Sequence, residues 1–239
     1  MASEYWRWNQ RARRYYVTPE GAAALGHKPG TFVSQSQLVT LRDSFINEQK
    51  QRTNALATQL AAGNITVQQW TLAMREEVKI NHISQYLLAH GGRDSMTQAD
   101  WGRLGQKIRV QYEYLQKFAE DIAKGNLTEG QIAARARMYV ESSSQSFEQG
   151  HALAMGAPEM PQYPGDGGTR CLSNCKCFWD IRELETQWDC YWKLRPAEHC
   201  PDCVANSARW NPLTFYKSQV RSIGDVYQRL AEAERARAI

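Results

Sequence analysis

The sequence predicts a mainly α protein: an antiparallel helical bundle, then a small cysteine-rich β-hairpin module, then a C-terminal helix. Three observations carry this reading. A helix-stop, helix-start joint recurs along the first two thirds of the chain. Prolines and glycines interrupt residues 156–168. All six cysteines then fall within the 33 residues Cys171–Cys203.

The joint appears twice with nearly the same residues. Leu60-Ala61-Ala62-Gly63-Asn64-Ile65-Thr66 corresponds to Ile122-Ala123-Lys124-Gly125-Asn126-Leu127-Thr128. Gly63 and Gly125 supply the left-handed residue that ends a helix without steric cost. Thr66 and Thr128 are placed to cap the next helix, with Gln69 and Gln131 three residues on completing a capping box. Ile65 with Trp70, and Leu127 with Ile132, have the spacing of hydrophobic staples. Met96-Thr97-Gln98-Ala99-Asp100-Trp101 repeats the arrangement at a third start. Helices are expected at about 34–62, 67–90, 98–124 and 129–154, and joints this short imply antiparallel neighbours.

Helical periodicity supplies the core. Leu104, Ile108, Tyr112, Leu115, Ala119 and Ile122 form one apolar stripe, and Trp70, Met74, Val78, Ile83 and Leu87 form another. Neither reads as a cofactor box. His82, His90 and His151 stand apart from any thiol or carboxylate pattern and read as surface or satisfied core histidines. Residues 156–168 exclude a regular helix and read as a linker between the bundle (34–155) and the cysteine module (169–212).

Within that module Cys171-x3-Cys175-x-Cys177 lies upstream and His199-Cys200-Pro201-Asp202-Cys203 downstream. Thiols so concentrated imply a metal ion or disulfides. Two thiolates three apart on one turn can grip one ion, and Pro201 pre-sets the turn. Cys171, Cys175 and Cys177 are three candidates for the two upstream places. The segments 177–182 and 187–194 read as aromatic strands joined at 183–186, so knuckle, hairpin and knuckle give a zinc-ribbon-like layout. Cys190 shares a strand face with Trp188, Trp192 and Leu194 and reads as packing. His199 is an alternative ligand, although it sits beside Cys200. Four protein ligands would close the site, which makes the expected Zn2+ structural. No signal-peptide core or spanning apolar run is present, so a reducing cytoplasm is expected, where clustered thiols favour metal.

Two terminal segments flank these units. Residues 1–33 read as a basic aromatic arm, in which Trp6, Trp8, Arg13 and Arg14 are candidate partner-binding residues. Rings mixed with arginines could also follow phosphates and stack on bases, which gives an alternative reading as a zinc-ribbon nucleic-acid-binding protein. Residues 213–239 read as a charged helical tail. A net charge of +4 and a hydrophobic content of 42% do not by themselves call for nucleic acid. No activated nucleophile, acidic metal cluster or phosphate loop stands out, so no catalytic residue is assigned.

Four segments stand out together: Lys28-Pro29-Gly30-Thr31-Phe32-Val33-Ser34, Met96–Arg103, Phe118–Gly125, and Asn174-Cys175-Lys176-Cys177 with His199–Cys203. They resemble minor head proteins of tailed bacteriophages, loosely related to the head-morphogenesis family named after the F protein of phage Mu. The resemblance runs over about residues 28–212. It implies a non-enzymatic virion component, assembled in the host cytoplasm within a multi-subunit particle. Such a component would contact portal or capsid proteins, and in some arrangements packaged DNA, with no membrane partner, acting in head assembly or DNA delivery.

Overall fold

A computed structural model describes residues 5–9, 11–12 and 14–219, and it is mainly helical with two small antiparallel sheets. The first sheet comprises β1 (Trp6–Asn9), β2 (Arg14–Val17) and β3 (Phe32–Val33), with α1 (Pro19–Leu25) between β2 and β3. The bundle follows as α2 (Gln35–Ala61), α3 (Val67–His90), α4 (Gln98–Ala123), α5 (Glu129–Glu141) and α6 (Ser144–Ala154). The second sheet has order β4 (Phe178–Glu183), β5 (Gln187–Lys193), β6 (Leu213–Tyr216), with α7 (Pro201–Arg209) between its last two strands.

The helix boundaries follow the caps read from the sequence at Thr66, Thr97 and Thr128, and Ser34 adds a fourth that was not read. Ser34, Thr66, Thr97 and Thr128 each form a complete capping box, with Gln37, Gln69, Asp100 and Gln131 as the reciprocal partners. Gly63 and Gly125 take φ of 71° and 75°, the left-handed values their position requires. Trp70, Met74, Leu115, Phe118, Ile122 and Ile132 bury together at one end of the bundle, with Ile65 and Leu127 packed against them. The two stapled joints therefore close the same core.

The expected single helix at 129–154 is instead two. Ser142 and Ser143 donate their hydroxyls to the carbonyls of Tyr139 (2.8 Å) and Val140 (2.6 Å), competing with the helical ladder. The backbone amides of Gln145 and Ser146 then reach back only three residues, which interrupts the α-helical ladder between α5 and α6. α6 is buried on all sides from Ser144 to Ala152. At Gly150 a Cβ would lie 2.8 Å from the Tyr86 carbonyl oxygen, so only glycine lets α6 approach α3 this closely.

Three further expectations are corrected by packing. The N-terminal segment is a sheet: Trp6 is only 5% exposed and is buried with Tyr15, Val17 and Val33 against α2, so its ring cannot serve as an exposed anchor. Trp8 and Arg14 lie on paired strands, opposite Tyr15 and Asn9, while Arg13 lies outside the described residues. The segment 156–168 lacks helix as its prolines require, yet Ala157, Met160 and Tyr163 are buried in the cysteine module's core, so it is a packed strap. Residues 213–216 form β6 in place of the expected start of a helical tail, and 220–239 lie outside the described residues.

One buried carboxylate joins these parts. Glu148 of α6 accepts from the Arg42 guanidinium of α2 at 2.6 Å and, through its other oxygen, from the backbone N–H of Trp179 on β4 at 2.9 Å. Both charged side chains are 1% exposed or less. Arg42 also donates to Asp43 at 2.9 Å, and Asp43 pairs with Arg195 beyond β5. Bundle and module are thus tied by ionic hydrogen bonds inside the protein.

Two predictions follow from this interior. Glu148→Ala leaves Arg42 without its buried partner and strips an acceptor from Trp179, and it is expected to cost about 3 kcal/mol or more in urea unfolding. The second concerns acid. Burial lowers His82 to about 3 and His151 to about 4, from an ordinary value of 6.5. Both rings are neutral when folded, whereas the unfolded chain protonates them near pH 6.5. Stability from this source is full above that pH and is lost as pH falls towards 4, by roughly 1.4 kcal/mol per unit for each ring. His151→Phe should lower the proton uptake on unfolding by one over this window, read from urea midpoints at successive pH values.

Candidate metal centre

The cysteine module is built around a hairpin whose inner face is aromatic. Trp179 on β4 meets Trp192 on β5 edge to face at 5.4 Å, and Trp210 closes against both at 5.3 and 5.6 Å. The Trp179 indole N–H donates to the Gln162 carbonyl and that of Trp188 to the Met155 carbonyl, which anchors the strap and the end of α6 to the hairpin. Cys190 is fully buried on the same face, and burial pushes its thiol up to about 12. It packs, as its place in the strand pattern predicts.

Two loops bring the other cysteines to one end of this hairpin. Upstream, a 3-10 turn at Leu172–Asn174 separates Cys171 from Cys175, and Leu172 holds φ of 50°. Downstream, Cys200 is the N-cap of α7 with Pro201 at the first helical position, and Cys203 follows one turn later. The backbone N–H of Arg170 donates to Asp202 at 2.8 Å, which fixes one loop against the other.

Cys171, Cys175 and Cys203 place their sulfurs within 4.8 Å of one another, so both sequence clusters contribute to one group that could hold a metal ion. Cys203 lies 3.6 Å from Cys171 and 3.6 Å from Cys175. Cys200 lies 3.7 Å from Cys171. Sulfurs around a tetrahedral ion with bonds of about 2.3 Å stand about 3.8 Å apart. A disulfide needs about 2.05 Å, and all six cysteines are free.

Cys177 faces a different partner. Its sulfur lies 3.6 Å from Nδ1 of His199, whose Nε2 is 2.6 Å from the Arg195 carbonyl oxygen. A carbonyl can only accept, so Nε2 carries the hydrogen and the Nδ1 lone pair points at Cys177. Of the five predicted ligands, three converge directly, Cys200 adjoins them, and Cys177 borders the group on the His199 side.

The charge balance of the group favours a cation. Hydrogen bonding from Cys177 lowers Cys175 to about 5 against the opposing effect of burial, with further donation from the Cys177 backbone and from Cys203 and Cys171. Burial holds Cys171 up at about 11 and pushes Cys203 up as well. Cys177 is raised chiefly by the hydrogen bond it gives Cys175, then by burial. Without an ion, Cys175 ionises readily while Cys171, Cys177 and Cys203 are held protonated. A divalent ion would supply the positive charge that lets the other thiols ionise.

Sequence reasoning did not identify Glu148, Arg42 or Asp202. Glu148 and Arg42 sit in polar stretches of helix with no motif around them, and only their three-dimensional neighbours distinguish them. Asp202 lies within the recognised Cys200–Cys203 turn, where an acidic residue before the second cysteine could have been read as a bond to the opposite loop.

One other arrangement has the outline of a catalytic group. His82 lies between Ser146 (2.7 Å from Nδ1) and Ser142 (3.3 Å from Nε2), and Ser142 borders a cleft of about 280 Å³. Burial lowers His82 to about 3, which makes it a very weak base at neutral pH. The Ser142 hydroxyl is committed to the Tyr139 carbonyl at 2.8 Å. The set seals a polar helix inside the bundle. Among the described residues no helix is long and apolar enough to cross a membrane.

No family model matches the chain, and neither a curated protein nor a solved structure is similar to it.

The thiols should differ sharply on substitution. Cobalt(II), followed through its thiolate absorption, is expected to bind Cys203→Ser more than about 100-fold more weakly than the unaltered chain. Cys190→Ala is expected to leave that affinity unchanged while costing about 1 kcal/mol of stability, read from a denaturant curve.

Proposed function

We propose that the protein is a non-enzymatic structural component of a tailed-phage particle, a minor head protein whose cysteine module is clamped by a structural zinc ion. The observation that carries the metal half is the convergence of Cys171, Cys175 and Cys203, drawn from two loops, at spacings matching a tetrahedral thiolate site. Cys200 is the fourth ligand in this reading, because it adjoins Cys171 at 3.7 Å and shares the first turn of α7 with Cys203. Cysteine-rich sites prefer zinc among common divalent ions, and four protein ligands leave no open position for water. The ribbon-like description of β4, β5 and the two cysteine loops belongs to this proposal.

The particle half rests on the resemblance of residues 28–212 to phage minor head proteins, with portal or capsid subunits as partners and the virion as location. A module of about 45 residues cannot bury enough surface to be stable alone. Here it gains an ion, an aromatic cage and the Glu148 tie to the bundle. Rigid attachment of this kind suits a part that must hold its shape within a larger assembly.

The nucleic-acid alternative receives less support. Base stacking needs accessible rings, and Trp6 and Tyr15 are 5% and 2% exposed.

Two measurements test the proposal. Purified protein is expected to contain one zinc per chain, and a chelator should speed amide exchange across 171–203 while leaving the bundle protected. Zinc well below one per chain removes the clamp. Coexpression with a phage portal protein is expected to give a complex on size exclusion; a chain that stays alone against portal and capsid subunits removes the particle reading.

A further inference from the structure

The thiols of the metal group differ in access. Cys175, Cys177 and Cys203 are 4%, 0% and 1% exposed, whereas Cys171 and Cys200 are both partly open to solvent. The two open sulfurs face each other at 3.7 Å and come from opposite loops. Cys200 also occupies the N-cap of α7, a helix of nine residues, at the edge of the group. Its α7 neighbour Cys203 is turned inward, between Cys171 and Cys175.

We propose that Cys171 and Cys200 are a peroxide-sensitive pair that closes to a disulfide, replacing the ion as the link between the two loops. The Cys200 thiolate attacks one oxygen of hydrogen peroxide. The O–O bond breaks, hydroxide leaves and is protonated to water, and Cys200 becomes a sulfenic acid. The Cys171 thiol then attacks the Cys200 sulfur and passes its proton to the departing hydroxide. The S–O bond breaks, the S–S bond forms, and a second water leaves. Each sulfur is oxidised by one electron, and the peroxide takes up both. Closing the gap from 3.7 Å to bonding distance asks for a shift of about 1.7 Å, within the reach of side-chain rotation on a short loop.

The consequence for the ion rests on the zinc reading. Two ligands are consumed, so the ion is released, but the 3-10 turn after Cys171 stays tied to the start of α7. The joint would then hold in reducing surroundings through the metal and in oxidising surroundings through the covalent bond. A particle protein assembled inside a cell and carried outside it meets both conditions.

The test uses the full chain in two forms, zinc-loaded and chelator-treated, each exposed to about one equivalent of hydrogen peroxide and mapped as peptides without reduction. The expected result is a Cys171–Cys200 cross-link as the main product in both forms, with about one zinc released per cross-link in the first. In Cys171→Ser the cross-link should be lost and Cys200 should be trapped by a sulfenic-acid reagent. A main product joining Cys200 to Cys203, or Cys175 to Cys203, overturns the proposal, as does overoxidation without any disulfide. Cross-linking in protein that never binds zinc would refute the clamp and keep the pair. Zinc binding with no Cys171–Cys200 product would do the reverse.

Discussion

The carboxylate of Glu148 is the constraint on which the arrangement of this protein depends. Burial pushes Glu148 up to about 7 against the pull of Arg42 and the Trp179 amide, and a carboxylate removed from water is costly unless its oxygens are satisfied; here each oxygen has a donor from a different part of the chain. One is a guanidinium on the first long helix, the other a backbone amide at the edge of the second sheet. Neither donor can move without exposing the other contact. The geometry therefore fixes how the module sits on the bundle more strictly than apolar contact would, since apolar surfaces tolerate sliding and an ionic hydrogen bond does not.

The same guanidinium extends the constraint to the metal group. Arg42 is buried against Glu148, and its charge is also felt by Cys175 and Cys177. Burial alone would lower its pKa, and these anionic neighbours oppose that. A positive charge held beside the thiols favours ionisation of Cys175. Cys175, 4% exposed, is the member that ionises most readily, which fits a site primed from its buried side. The open side, at Cys171 and Cys200, is left for exchange with solvent. Burial and access thus divide one cluster into a buried side and an open side.

Much of the bundle was legible because its signals are local. Thr66 with Gln69, Thr97 with Asp100 and Thr128 with Gln131 lie within a single turn, and those turns bound helices whatever surrounds them. The hairpin was legible for the same reason, its strands alternating at period two. The failures have one physical origin, which is that burial is decided by distant neighbours. Trp6 read as an exposed anchor because nothing nearby in sequence announces α2 as its cover. The strap at 156–168 read as a free linker because prolines and glycines report backbone freedom and not the pocket that receives Met160 and Tyr163. The serine run at 142–144 read as continuous helix because Ser142 and Ser143 keep helical backbone angles, and only the hydroxyl bonds to the Tyr139 and Val140 carbonyls and the tightened amide ladder mark the break.

The metal group lies between these cases. Spacing alone brought both cysteine clusters to one place but left three upstream candidates for two positions. Proximity distinguishes them: Cys171 and Cys175 group with Cys203, while Cys177 lies between Cys175 and the Nδ1 lone pair of His199, whose Nε2 hydrogen goes to the Arg195 carbonyl. His199 is adjacent in sequence to Cys200, yet its ring addresses the opposite side of the cluster. Adjacent residues on an extended segment point to opposite sides, and that alternation explains why a histidine beside a candidate ligand can border the site without entering it.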